Sequence, residues 1–392
     1  MVYTKLLVDE FSPIAIYNKI RSFFLNEKIF LFESVINNSD GNYTFLFIGQ
    51  KEKIEYKNEK TFYFDGKKEQ ILDIDPFSFL KEYYKKIDFS KYKSLAKELN
   101  IGFVDGFVGY IGYDLVKMFE PVLKKSMDSL IDETNIPDFH MIRPKIIIGF
   151  SHKSSELTII INEKKYEEYL YVLKDIINST YKHIPLKKVT ILNEPKFIFS
   201  KEKFFNMVEK AKEHIKKGDI FQIVLSNRLK VKAEIDKFSF YRKLRSKNPS
   251  PYLFFLDFDN FSIIGSSPEV MVRLNDKTIL LRPIAGTRKR GESIKKDIEL
   301  EHEMLNDPKE VAEHIMLVDL GRNDVGRVAK AGSVKVEELM RVEKYSHVMH
   351  MVSDVVGEID DKFDMFDLFK ATFTAGTMSG APKIKAMELI AK

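Results

Sequence analysis

The sequence contains no cysteine among its 392 residues. This absence excludes disulfide bonds, thiolate zinc sites and a cysteine nucleophile. No window approaches the ~18 consecutive apolar residues that a membrane-spanning helix needs. The N-terminal stretch MVYTKLLVDEFSP carries acidic residues and lacks the apolar segment of a secretory signal. We therefore expect a folded cytoplasmic protein with no membrane segment.

The charge of the chain is nearly balanced. It has 63 Lys and Arg residues against 58 Asp and Glu residues, which gives a formal net charge of +5. The lysines are spread along predicted helices, whereas a nucleic-acid-binding surface concentrates basic residues in a stripe with interleaved aromatics. Solvated lysine faces explain this pattern better, and we expect no nucleic-acid partner.

Sequence periodicity predicts both helices and antiparallel strands. A helix is expected from Ser12-Pro13 to about Asn26, and alternating runs such as IFLFESV and YTFLFIGQ predict half-buried strands. In the second half, IFQIVLSNRLKV predicts one strand, and the longest helix begins at Asp307-Pro308. A polar, proline-containing stretch at 182–195 resembles a linker between an N-terminal region, 1–181, and a C-terminal region, 196–392. We expect an α+β fold with layered mixed or antiparallel sheets and helices outside.

Two glycine-containing stretches suggest anion binding. GTRKRGES has the glycine spacing of a P-loop, but Glu292 stands where the phosphate-binding lysine belongs and would repel a phosphate. In TFTAGTMSGAPKIKAMELI, a glycine-rich turn precedes a helix start, where free backbone N–H groups and Lys383 predict an anion pocket. A plain helix-entry turn explains the second pattern equally well.

Glu310 and Glu313 are three residues apart in a predicted helix, so their carboxylates share one face. Such a pair would suit Mg²⁺, which takes oxygen ligands and keeps positions for water and substrate. The alternative is a solvated acidic face, or carboxylates that complement the positive end of the helix. Spacing alone favours the alternative.

His347 and His350 lie one turn apart if helical, or on opposite faces if extended. They could be metal ligands or an acid-base group. Their apolar neighbours also allow a core histidine, and the spacing does not decide between these roles.

Several motifs together resemble the chorismate-utilising enzymes, and most closely the family of anthranilate synthase large subunits. The resemblance covers the second half with few gaps, and LFES at 31–34 extends it to the first half. Its motifs are GDIFQIVLSNR (218–228), NPSPYLFF (248–255), GSSPE (265–269), RPIAGTRKRG (282–291), EHIMLVDLGRND (313–324), YSHVMH (345–350) and AGTMSGAPK (375–383).

The resemblance implies a role for each candidate residue. Glu310 and Glu313 match carboxylates that hold Mg²⁺ in the family, and Glu269 matches the acid that protonates the departing C4 hydroxyl of chorismate. His350 matches a histidine involved in aromatisation. The remaining expected site residues are Thr377 as a catalytic group and Gln222, Ala285, Gly286, Thr287, Gly376 and Lys383 as substrate-binding residues.

Ala285 and Gln222 indicate which nucleophile the site uses. In the similar aminodeoxychorismate synthases a lysine of the PIAGT loop attacks the ring, and Ala285 cannot do so. In isochorismate and salicylate synthases a lysine replaces Gln222 and activates water, whereas an amide has no basicity for this. The resemblance therefore implies that free ammonia adds at C2 and that anthranilate and pyruvate result, as the first committed step of tryptophan biosynthesis.

The resemblance also implies two partners. Without cysteine the chain cannot carry the family's thiol-dependent glutaminase, so a separate glutamine amidotransferase subunit is expected to supply ammonia. A feedback site for tryptophan is expected where LFES meets NPSPYL. Its residues are Glu33, Ser34, Pro251, Tyr252 and Leu253.

The family continues past the last helix of this chain with a glycine-rich strand, a substrate-binding arginine and a final Mg²⁺ glutamate. We therefore expect a C-terminally truncated chain with an incomplete site and weak or no catalysis alone. Two alternatives stay open. They are an aminodeoxychorismate synthase of the folate pathway, and a non-catalytic remnant that binds tryptophan or the partner subunit.

Overall fold

The computed structural model describes residues 1–34, 42–345 and 347–392. Val35 and Ser346, which fall within the quoted runs IFLFESV and YSHVMH, lie outside the described residues. All strand pairings between named strands are antiparallel within this described part. The predicted α+β class with antiparallel sheets is confirmed.

The strands, numbered in chain order, are β1 Val2–Leu7, β2 Ile29–Glu33, β3 Tyr43–Ile48, β4 Glu52–Lys57, β5 Lys60–Phe64, β6 Glu69–Leu72, β7 Val108–Ile111, β8 Phe139–Arg143, β9 Ile146–Ser151, β10 Glu156–Ile161, β11 Thr190–Ile191, β12 Lys196–Phe197, β13 Gln222–Ile223, β14 Leu229–Lys230, β15 Ala233–Glu234, β16 Tyr252–Asp257, β17 Ser262–Ser267, β18 Arg273–Asn275, β19 Thr278–Leu281, β20 Ile284–Lys289, β21 Lys335–Lys344, β22 Val348–Glu358 and β23 Gly380–Ala381.

The α-helices are α1 Pro13–Phe23, α2 Pro76–Lys85, α3 Phe89–Leu99, α4 Val116–Phe119, α5 Lys124–Met127, α6 Glu168–Asn178, α7 Lys201–Lys216, α8 Lys237–Lys247, α9 Ile294–Asn306, α10 Pro308–Gly326, α11 Met365–Thr372 and α12 Lys383–Ile390. The start of α1 is as predicted, because the Ser12 side chain accepts a hydrogen bond from the Ala15 N–H and Pro13 follows. The helix ends at Phe23 rather than near Asn26. No helix in the described ranges combines the length and apolar character that crossing a bilayer demands.

The chain forms two compact units. The first consists of Met1–Gly112, Thr134–Lys188 and Ile235–Pro268, and the second of Tyr113–Glu133, Val189–Glu234 and Glu269–Lys392. The units interleave along the chain and so differ from the linear division expected at 182–195. The physical reason is strand pairing, since β16 completes a sheet with β2 although more than two hundred residues separate them in sequence.

The first unit contains a seven-stranded sheet, in the order β1-β10-β9-β3-β2-β16-β17, and a five-stranded sheet, β6-β5-β4-β8-β7. Alternate residues of the larger sheet enter two different apolar clusters: Ile146 and Ile148 pack with α1, α6 and α8, while Ile147 packs with the Leu99 end of α3. The strands in the centre of this sheet are thus buried on both faces, not half-buried as the alternation suggested.

The second unit contains a five-stranded sheet in which β22 pairs with β19, β20 and β21. Helix α10 packs on it through Val318 and Val325, which join Ile279 and Val355 in one apolar cluster. The single strand predicted over IFQIVLSNRLKV is wrong, because the structure has only the two-residue strands β13 and β14 there. Between them the Asn227 side chain exchanges two hydrogen bonds with the Phe199 backbone.

Candidate active site

Helix α10 carries the two glutamates and packs against several other elements of the candidate site in the second unit. Asp307 caps it by accepting from the Lys309 and Glu310 N–H groups, at 3.0 and 3.4 Å, and Pro308 occupies the first turn as predicted. The helix packs against β20, β22, β23 and the 3₁₀ turn Gly376–Met378. Residues predicted from six separate motifs are therefore neighbours around one helix.

Glu313 lies beside Gln222. The Gln222 Nε2 donates to Glu313 Oε1 over 2.8 Å, and Gln222 is held there because β13 pairs with β23 through Gln222 and Ala381. This bond fixes the amide orientation, since a carboxylate can only accept. The oxygen of the same amide, Gln222 Oε1, is buried and has no hydrogen-bond partner within the described residues.

Glu310, one turn before Glu313, is bound by Arg288. The Arg288 Nη1 lies 2.9 Å from Glu310 Oε1, and the same guanidinium contacts Asp307 and Glu303, each at 3.0 Å. The sequence analysis overlooked this arginine. Its position on β20 next to Thr287 could have suggested it, because β20 packs directly on α10.

The carboxylates on α10 fit Mg²⁺ only if water and substrate supply the remaining ligands of the ion. Among residues 1–34, 42–345 and 347–392, no group of three or more His, Asp or Glu side chains could hold a metal ion. The carboxylates of Glu310 and Glu313, on adjacent turns of α10, still offer the hard oxygen atoms that Mg²⁺ prefers. Mg²⁺ commonly retains waters and substrate oxygens as its remaining ligands. Magnesium binding at this site stays a prediction.

Glu269 and Thr377, predicted from separate motifs, are in direct contact. The Thr377 hydroxyl donates to Glu269 Oε1 over 2.8 Å, and both line a small cavity with Leu317 and Gly321 of α10. Burial raises the pKa of the Glu269 carboxyl, and the weaker effect of the Thr377 hydrogen bond opposes this. A carboxyl with a raised pKa keeps its proton to a higher pH, as a general acid must.

The segment PIAGT, treated as a loop by its resemblance to the family, leads into the bulged strand β20 at Ile284. Residues Ile284 and Ala285 pair with Val352 and Met351, and the register shifts between Ala285 and Thr287. Gly286 lies in the bulge at φ +62°, a backbone region that favours glycine. The loop expectation was wrong because the bulge interrupts the alternation that would have marked a strand.

The bulge orients His350 on β22. The His350 Nδ1 lies 3.1 Å from both the Thr287 Oγ1 and the Gly286 carbonyl oxygen. A carbonyl only accepts, so the hydrogen bond to Gly286 places the ring proton on Nδ1 and leaves Nε2 as an acceptor. His347 precedes the strand and is exposed. Of the two histidines, it is therefore His350 that contacts the predicted substrate-binding residue Thr287.

The glycine-rich turn brings Gly376 against α10 and Gly380 against β13. A Cβ on Gly380 would lie 2.2 Å from the Gln222 carbonyl oxygen, and the residue has φ +137°. Helix α12 then begins at Lys383, with Pro382 as its N-cap residue and no side-chain cap. The turn therefore positions Thr377 and Gln222 by close backbone approach.

Lys383 occupies a different environment from the one predicted. Its Nζ lies 2.6 Å from Asp324 Oδ2 and donates to the Thr372 carbonyl at 3.1 Å, and the residue is 7% exposed. The expected anion pocket assumed a lysine that points out of the helix start. Instead the ammonium group is buried between two acceptors, and the sequence analysis missed Asp324, whose spacing from Leu317 and Gly321 places it on the buried face of α10.

The residues predicted to bind tryptophan meet within the first unit. Glu33 and Leu253 are directly opposite on β2 and β16, and Ser34, Pro251 and Tyr252 flank them in sequence. Glu33 Oε2 accepts hydrogen bonds from the Tyr241 hydroxyl, 2.8 Å, and from Arg245 Nε, 2.7 Å. Glu33 Oε1 is buried without a hydrogen-bond partner in the described part of the chain. Tryptophan binding itself stays a prediction.

Comparisons with known proteins place the chain in one family by sequence and by fold. The sequence profile described as chorismate binding enzyme matches residues 28–392. The chain is 41% identical to anthranilate synthase component 1 of Aquifex aeolicus, over 99% of this chain and 79% of that protein. It is 37% identical to the component 1 of Acinetobacter calcoaceticus, over 99% and 80%. The crystal structure of anthranilate synthase component I from Streptococcus pneumoniae matches with a TM-score of 0.76 and 30% identity, over 98% of this chain and 83% of that one.

Proposed function

This chain belongs to the anthranilate synthase component 1 family of chorismate-binding enzymes, and we propose that it converts chorismate and ammonia into anthranilate and pyruvate. The observation that carries the proposal is the pair Glu269 and Thr377 beside a helix with two carboxylates, in a site where Ala285 and Gln222 replace basic residues. Such a site provides an acid for a leaving hydroxyl and no side-chain nucleophile that competes with an amine.

The first step joins ammonia to the ring. The nitrogen lone pair forms a bond to C2, the ring double bonds shift, and the C4–O bond breaks as Glu269 gives its proton to the departing hydroxyl, which leaves as water. The Gln222 amide supports this step, because its NH₂ group is bound to Glu313 while its buried Oε1 can accept an N–H from ammonia.

The second step makes the ring aromatic. A base removes the proton on C2, the electrons of that C–H bond complete the aromatic ring, and the C3–O bond breaks. The leaving group departs as the enolate of pyruvate, which takes up a proton at its methylene carbon to become pyruvate. His350 is suited to this role, since its Nδ1 proton is directed to the Gly286 carbonyl and its Nε2 can accept. Glu310 and Glu313 would hold Mg²⁺, which supplies positive charge for a substrate carboxylate.

The partner and the regulator belong to the same proposal. Ammonia would come from glutamine through a separate amidotransferase subunit, because a chain without cysteine lacks the thiol of such glutaminases. Tryptophan would bind at Glu33, where a buried carboxylate oxygen that has no partner among the described residues could accept an N–H from an amino group.

Anthranilate fluorescence tests the catalytic proposal. The chain is supplied with chorismate, MgCl₂ and either ammonium chloride or glutamine, in parallel with the Aquifex aeolicus relative. We expect anthranilate with ammonium, formed more slowly than by the relative, and none with glutamine alone. The absence of anthranilate under conditions in which the relative makes it would contradict the proposal, and a product with the mass of aminodeoxychorismate would replace it with the alternative activity.

A further inference from the structure

Lys383 and Asp324 form a buried ion pair of the second unit, next to the candidate site. The two side chains are each 7% exposed and their charged atoms are 2.6 Å apart. Burial lowers the pKa of the Lys383 ammonium and raises that of the Asp324 carboxyl, while each partner opposes the shift of the other. Neither group is needed in the proposed chemistry, so the pair requires another explanation.

The ammonium group joins three elements. Lys383 is the first residue of α12, Asp324 lies on α10, and the Thr372 carbonyl that also accepts from Lys383 ends α11. The residues on either side of the segment 373–382 are therefore joined by one hydrogen bond, from the Lys383 ammonium group to the Thr372 carbonyl. The segment is closed into a loop and attached to the helix that carries Glu310 and Glu313.

Two site contacts depend on this loop. Thr377 donates to Glu269 from the middle of the segment, and Gly380 and Ala381 pair with Ile223 and Gln222. The loop also packs by close approach, since a Cβ on Gly376 would lie 2.4 Å from a Leu320 methyl carbon on α10. A shift of the loop relative to α10 would move the Thr377 hydroxyl, and a displacement of about 1 Å at a reacting centre can cost on the order of 10²-fold in rate.

We infer that Lys383 and Asp324 act as positioning residues, which close the segment 373–382 on α10 and so hold the Thr377 hydroxyl against Glu269. The consequence for turnover depends on the proposed function, whereas the closure of the segment does not. Removal of one charge would leave the other buried and unpaired, which is strongly destabilising. Removal of both avoids this cost, because apolar residues of similar volume can replace a buried ion pair without loss of stability.

The test is the double variant Lys383→Met with Asp324→Leu. It should remain folded by circular dichroism, while amide hydrogen exchange in 373–382 accelerates at least about tenfold. The Glu269 carboxyl, followed by ¹³C NMR, should titrate as it does in Thr377→Val. Adding Thr377→Val to the double variant should then change nothing, because the hydrogen bond is already lost. We expect kcat to fall about 10²-fold and KM for chorismate to change less than about threefold.

Lys385→Met is the matched control. It makes the same change two residues along α12, at a side chain that is 41% exposed and paired only at the surface with Glu388. Its exchange rates and its Glu269 titration should equal those of the unchanged chain. A folded double variant with unchanged exchange in 373–382 and an unchanged Glu269 titration would overturn the inference. These two readouts need no turnover, so they stand even if the chain makes no anthranilate.

Discussion

The two compact units differ in how regularly their sheets are built. In the first, every strand pair keeps one register along its length, and both faces of the seven-stranded sheet are apolar. In the second, β20 and β21 both have register shifts against β22, and Met340 within β21 has a positive φ. The irregular place in β20 holds the candidate residues Gly286 and Thr287, because a bulge directs side chains and carbonyl groups that a regular ladder would use for pairing.

One carboxylate in each unit, Glu33 which is buried and Glu269 which is partly buried, sharpens the contrast. Glu33 in the first unit contacts the cation Arg245 and the Tyr241 hydroxyl, an environment for a charged group that binds a ligand. Glu269 in the second unit accepts from the Thr377 hydroxyl, and burial raises its pKa, which suits a group that must deliver a proton. The two environments predict two separable functions, regulation and catalysis.

The largest expected effect is on catalysis. Glu269→Gln keeps the volume and an acceptor for Thr377 but removes the transferable proton, so kcat for ammonium-dependent anthranilate formation should fall about 10³-fold. Glu292→Gln makes the same change at an exposed residue and should have the activity of the unchanged chain. Equal loss in both variants, or no loss in Glu269→Gln, would refute the assignment of the acid.

The next effect concerns tryptophan binding in the first unit. Glu33→Gln removes the charge that Arg245 and Tyr241 surround, and titration calorimetry should show tryptophan binding weakened about 10-fold to 100-fold. Glu69→Gln, at an exposed ion pair with Lys53 in the same unit, should bind tryptophan with unchanged affinity. If the unchanged protein shows no binding heat at all, this region has no regulatory site.

A smaller effect is expected on the free energy of unfolding when a glycine of the second unit is replaced. Gly380→Ala would place a methyl group within 2.2 Å of the Gln222 carbonyl oxygen at a positive φ, and should lower the free energy of unfolding by about 2 kcal/mol in urea titrations. Gly326→Ala meets no atom within 4 Å and should change it by less than about 0.5 kcal/mol. Equal stability of the two variants would show that the turn can move away from β13.

The smallest effect is a pH dependence of stability. His314 is fully buried on α10, its Nε2 bonds the Ser353 hydroxyl at 2.6 Å, and burial lowers its pKa to about 4. In the unfolded chain a histidine takes up its proton near pH 6.5, so folding stability should be lost as the pH falls from 6.5 towards 4. Urea midpoints at pH 7 and pH 5.5 should differ less in His314→Gln than in the control His302→Gln.

The regular parts of the fold could be predicted from sequence, and the irregular parts could not. The Ser12 cap, the β9–β10 hairpin and the start of α10 at Asp307-Pro308 follow from local signals. The bulge at Gly286 and the broken strand around Asn227 depend on β22 and on the Phe199 backbone, which are distant in sequence. Tertiary contacts decided these elements, and local alternation carries no information about them.

The same distinction holds for the site. Candidate site residues could be identified from the motifs, and the structure places Glu269 in contact with Thr377 and Gln222 in contact with Glu313. The partner of each charge could not be predicted, because it depends on the path of the chain. Lys383 was expected to line an anion pocket and is buried against Asp324, and Glu310, expected to bind Mg²⁺ or to face solvent, contacts Arg288.

The most direct measurement is a crystal structure of the chain soaked with MgCl₂ and chorismate. We expect the ring to lie beside Ala285 and His350, the C4 hydroxyl within hydrogen-bond distance of Glu269, and the cation on Glu310 and Glu313. A structure with the substrate elsewhere, or with both glutamates in bulk solvent far from Ala285 and His350, would contradict it.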